Sequence, residues 1–144
     1  MAVETSERVL ALKEFVNWDD QPPELRRALD EPLRMPMSAV ARRLVEILGA
    51  VPVAVMGRVK DTRSVRYWME GEKPPTEGDR LRLALQIASY MLAAGEHADV
   101  VAAWFRGMNS HLRKYESAML TIADAPLPEA QRAVMAAAQA FLAG

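Results

Sequence analysis

An all-α protein is what this sequence predicts, and three observations carry the prediction. Apolar residues recur three and four positions apart along nearly the whole chain, and no alternation of β-branched and polar residues is long enough for a strand. Glycines, prolines and capping residues punctuate the periodic stretches at short intervals. With 144 residues, 51% of them hydrophobic, the chain can bury one respectable core.

The elements follow in order. From the capping residue Thr5, the apolar positions Val9, Leu12, Phe15 and Val16 predict a short amphipathic helix. DDQPPELRRALDEP gives a turn, a helix opened by prolines and a stop at Pro32, with LRMPM as connector. Ser38 is the expected cap of AVARRLVEILG, whose Val40, Leu44, Ile47 and Leu48 share one face, and Gly49 ends it. A short helix with Pro52 near its first turn is expected to run through Val53, Val55, Met56 and Val59. The next begins at Asp61 or Thr62, either of which can accept from orphan amides, and ends near Gly71. DRLRLALQIASYMLAAG carries the apolar stripe Leu81, Ala84, Leu85, Ala88, Met91 and Leu92. HADVVAAWFRG follows, with Val100, Val101, Trp104 and Phe105 expected to face inward, then the turn MNSH and a further turn of helix within Tyr115 to Ile122. The alanine-rich Leu127 to Gly144 has an apolar face of Val134, Met135, Ala138, Phe141 and Leu142 behind Pro126 and Pro128. Such a face must be covered, and two readings stand for it: docking onto its own chain, or service as a partner-binding arm outside the core.

Charge singles out one segment. Formal net charge is only −1, yet Arg58, Lys60, Arg63 and Arg66 face Asp61 alone, a local +3 on an otherwise acidic body. Such a patch suits contact with phosphate at one place. The segment also lies in the last two of three short helices with tight connections, the layout of a helix-turn-helix. In that layout the last helix offers its N-terminal residues to the major groove of double-stranded DNA. Thr62, Arg63, Ser64, Arg66 and Tyr67 are suitable residue types, since Arg can bind guanine in a bidentate way and hydroxyls reach phosphates or base edges. Arg58 and Lys60, at the turn, are expected to meet phosphates. Val65, Trp68 and Met69 would form the inward face of the same helix.

WMEGEKPP, Trp68 to Pro75, resembles the end of the DNA-reading helix in Xre-type, phage-repressor-like regulators, which often read W-x-x-G-x-x-x-P. The continuation, Arg80 to Leu112, resembles the toxin-binding domain of the Xre/MbcA/ParS-like antitoxin family, where a long helix precedes a W-(L/F)-x-x-x-N-x-x-L segment. Here that segment reads Trp104, Phe105, Asn109 and Leu112. After the leucine the family usually has a glycine-containing turn and a proline, whereas this chain has RKYESAMLTI. The resemblance implies a homodimeric, autoregulating DNA-binding antitoxin whose partner is a toxin, often of the NAD-consuming RES type, and it assigns the four residues just named to that partner. Read from the residues alone, Trp104 and Phe105 suit core packing and Asn109 suits a turn that caps backbone groups.

Other chemistry finds little support. His97 and His111 stand fourteen positions apart with no thiol or carboxylate set to complete a metal site, and the chain has no Cys. No phosphate-cradling glycine loop or nucleophile elbow occurs, so no enzyme, cofactor or catalytic residue is expected. The N-terminus lacks the pattern of a signal peptide and no apolar run could cross a membrane, which points to the cytoplasm. The expected organisation is an N-terminal helical extension over residues 1–36, a helix-turn-helix DNA-binding region over 37–75, an antitoxin-like helical bundle over 76–122 and a C-terminal helix over 123–144. The rival readings are a phage-type repressor without a toxin and an interaction module whose helix-turn-helix does not bind DNA.

Overall fold

The computed structural model describes Leu12 and residues 15–144. Among them eight α-helices and no strands occur: α1 (Pro23–Arg34), α2 (Met37–Leu48), α3 (Ala50–Met56), α4 (Thr62–Glu70), α5 (Gly78–Ala93), α6 (Ala98–Arg106), α7 (Ala118–Asp124) and α8 (Leu127–Leu142). The fold is all-α. The helix expected from Thr5 lies largely outside the described residues, although its Leu12 and Val16 are buried.

α5 is the central element. Its Leu81, Leu83 to Ala88, Tyr90 and Met91 are all buried, so it is enclosed around most of its circumference rather than along one stripe. α1, α2 and α8 pack against it most extensively, with α3, α6 and α7 adding smaller contacts. α2 packs on α3, α4, α5 and α6 through Val40, Ala41, Leu44, Ile47 and Leu48. One hydrophobic cluster consequently runs from Leu12 to Ala138. The core draws on residues from both sides of the expected boundary between residues 75 and 76.

Several expectations change. α1 runs through Pro32 to Arg34 instead of stopping. Proline removes the N–H that would meet the Ala28 carbonyl, and burial of Pro32 on the helix that packs against α5 outweighs that loss. α2 starts on Pro36, whose carbonyl accepts from Ala39 and Val40 N–H, and the Ser38 side chain makes no cap bond. Ser117 does act as a cap, its Oγ accepting from Leu120 N–H at 3.0 Å, so the expected turn of helix after Tyr115 begins at Ala118. On α6, Val101 and Phe105 face inward, whereas Val100 is 37% exposed and Trp104 only half-buried.

The C-terminal helix takes the first of its two readings and docks onto its own chain. α8 buries Ala130, Val134, Met135, Ala137 and Ala138 against α5 and α7, so its apolar face is covered by its own chain. Phe141, at 38% exposed, is the part of the expected stripe that stays outside.

Candidate nucleic-acid interface

α4 owes its place to its two ends and one face. At the start, the Asp61 carboxylate accepts from Arg63 N–H at 3.0 Å, satisfying one orphan amide. At the end, Gly71 takes φ 75°, a left-handed conformation glycine adopts without strain, and Glu72 N–H bonds the Tyr67 carbonyl at 3.0 Å. Val65 and Trp68 are buried toward α2 and α3. Arg42 of α2 fixes the C-terminal turn, its Nη1 donating to the Met69 carbonyl at 2.6 Å.

The turn before α4 is built around Trp68. A Cβ added to Gly57 would press on Trp68 Cη2 and lie 2.7 Å from Cζ3, so the indole rests directly on the glycine backbone. Here glycine supplies space rather than conformational freedom, since its φ is an ordinary −81°. Arg58 follows with φ +61°, at a backbone cost of roughly 1–2 kcal/mol for a non-glycine residue.

On the opposite face of α4, Thr62, Arg63 and Arg66 are exposed, Ser64 and Tyr67 are half-buried, and Lys60 is exposed ahead of them. Lys73 sits with Nζ 5.2 Å from the Tyr67 ring centroid, a cation–π contact between the loop leaving α4 and the same face. Six of the seven residues expected to meet DNA therefore share one end and one side of α4. Arg58, in the preceding turn, is exposed as well, with its Nη1 donating to the Ala123 carbonyl of α7 at 3.0 Å.

The second group, expected to meet a protein partner, separates into core and surface. Phe105 is fully buried, Leu112 is 5% exposed and Asn109 is 7% exposed, so these three hold this chain together. Asn109 Oδ1 accepts from His111 N–H at 3.0 Å, and its own N–H reaches the Tyr115 carbonyl at 3.3 Å, the backbone-capping role its residue type suggests. Trp104 alone of the four reaches the surface, edge-on to Phe105 at 5.3 Å and tilted against Phe141 of α8 at 6.3 Å. Beyond Leu112, Lys114 and Tyr115 both take φ 57°, the conformation a glycine-containing turn would supply.

Sequence reasoning missed a set of arginines that close helix ends. Arg82 Nη1 donates to the Pro32 and Met35 carbonyls at 2.6 and 2.8 Å, completing the end of α1. Arg80 Nη1 donates to the Ile122 and Ala125 carbonyls, each at 2.6 Å, completing the end of α7. The available signal was their position in α5, where a guanidinium flanking buried Leu81 must find acceptors within the protein. Among the described residues no group of three or more His, Cys, Asp or Glu could hold a metal ion, and no helix is long and apolar enough to cross a membrane.

No family model, curated protein or solved structure matches this chain. The family resemblance accordingly rests on the motifs quoted for it.

Proposed function

We propose that this chain is a sequence-specific DNA-binding transcriptional regulator in which α3 and α4 act as a helix-turn-helix and α4 reads the major groove. One observation carries the reading: Thr62, Arg63 and Arg66 stand exposed on the first turns of a capped helix whose other face is anchored by Val65 and Trp68. Arg63 and Arg66 have no side-chain bond among the described residues, which leaves both guanidinium forks available to base edges. Lys60 supplies the nearby phosphate contact. A symmetric homodimer reading half-sites about 10 base pairs apart fits a single short reading helix, which by itself makes few contacts. The resemblance to Xre-type antitoxins adds autoregulation in the cytoplasm and neutralisation of a RES-type toxin.

The test is binding of purified Arg63→Ala and Arg66→Ala proteins to the DNA upstream of their own gene. Each substitution is expected to cost about 1–3 kcal/mol of specific binding. Unchanged affinity in both variants rejects the reading. A protein-interaction module is the second reading, favoured by the formal net charge of −1 and by the surface pairing of Trp104 with Phe141. It predicts no preference for the upstream DNA at any salt concentration.

A further inference from the structure

The turn between α3 and α4 contains a residue that is both strained and tied to a distant helix. Arg58 holds φ +61°, which glycine adopts freely and a side chain does not. The turn's own backbone is already satisfied, with Arg58 N–H on the Val55 carbonyl and Val59 N–H on the Ala54 carbonyl, both at 3.0 Å. Local hydrogen bonding therefore gives no reason for an arginine here. Its guanidinium does, because Nη1 reaches Ala123, 65 positions along the chain, at 3.0 Å. Ala123 lies in the last turn of α7, where carbonyls have no partner within the helix. Arg80 holds the neighbouring carbonyls of Ile122 and Ala125. The end of α7 is thus gripped by one arginine from the central helix and one from the turn that starts α4.

We propose that Arg58 is a positioning residue for α4, its bond to Ala123 transmitting the setting of α7 to the helix that meets DNA. The inference rests on the DNA-reading role of α4 proposed above. A positioning group and a phosphate ligand leave different signatures. Loss of a phosphate contact weakens binding to every sequence alike and lowers the dependence of log K on log salt by about 0.9. Loss of positioning disturbs the base contacts, so it reduces discrimination between sequences and leaves the salt dependence in place.

Arg58→Gly is the informative variant, because glycine keeps the left-handed turn while removing the guanidinium. In the free protein, amide hydrogen exchange should rise about three- to tenfold in residues 121–125, the range expected for one lost hydrogen bond, while relief of the left-handed strain offsets the loss in residues 59–63. With the upstream duplex and a scrambled duplex compared across a salt series, the ratio of the two affinities should fall about three- to tenfold at an unchanged salt slope. A slope lower by about 0.9 with the ratio intact makes Arg58 a phosphate ligand and overturns the proposal. So does unchanged exchange in residues 121–125. A wild-type protein that binds both duplexes alike overturns the DNA reading instead, and the exchange measurement still decides whether Arg58 joins the turn to α7.

Discussion

Arg42, Arg58, Arg80 and Arg82 place guanidinium nitrogens on backbone carbonyls, at the ends of α4, α7 and α1, whereas Arg63 and Arg66 extend from α4 without such a partner. Arg58 is exposed and keeps its charge, but one of its guanidinium nitrogens is committed to Ala123. A buried tyrosine gives a second residue-scale consequence. Tyr90 is 7% exposed, and burial raises its hydroxyl above the ordinary tyrosine value, with a hydrogen bond to Gln139 pulling the other way. The folded protein therefore keeps this proton more tightly than the unfolded chain does. Its contribution to stability is complete below the unfolded pKa of about 10 and is lost as pH rises through the higher folded value. Melting temperatures at pH 9 and pH 11 are expected to differ more for the wild type than for Tyr90→Phe. Equal differences would remove Tyr90 from the alkaline transition.

At the scale of elements, the contact between Gly57 and Trp68 sets the seat of α4. Gly57→Ala introduces a methyl group where the indole already lies, with the Val53 carbonyl 3.2 Å away on another side. Relief requires Trp68 to leave its buried position or the turn to open, and overpacking of this kind costs about 1–3 kcal/mol. Chemical denaturation should show that loss, and a variant as stable as the wild type would mean that the ring moves aside freely. α4 was legible in the sequence because its determinants are local: Asp61 at the start, Val65 and Trp68 three apart, and Gly71 at the end. The course of α1 past Pro32 was not, since α5, the helix that α1 packs against, lies some fifty positions away. Periodicity picked out Val134, Met135 and Ala138 on α8, but not that Phe141 stays outside or which surface covers the face. Of the candidate site, the outward residues of α4 were legible from spacing. The attachment of Arg58 to Ala123 was hidden, because an arginine's long reach leaves no periodic trace.

For the whole molecule, the decisive property is that the core is undivided. α2 carries the packing of α3 and α4 on one side of the sequence and meets α5 and α6 on the other, so the region proposed to read DNA shares interior side chains with the helical bundle. α8 closes that interior with Val134 and Met135, both fully buried. Viewed in time rather than in space, these packings form under unequal constraints. α2, α3 and α4 meet across short turns, while the seating of α8 on α5 must first close a loop of several tens of residues, so the local trio should assemble first. Substitutions in the two places should then act on opposite limbs of the kinetics. Gly57→Ala is expected mainly to slow folding, and Met135→Ala, at about 2–5 kcal/mol, mainly to hasten unfolding. Stopped-flow measurements across a denaturant series separate the two, and the reverse assignment would place the docking of α8 ahead of the turn. The glycine beneath Trp68 would then govern how fast the protein reaches its native state, and the methionine of α8 how long it stays there.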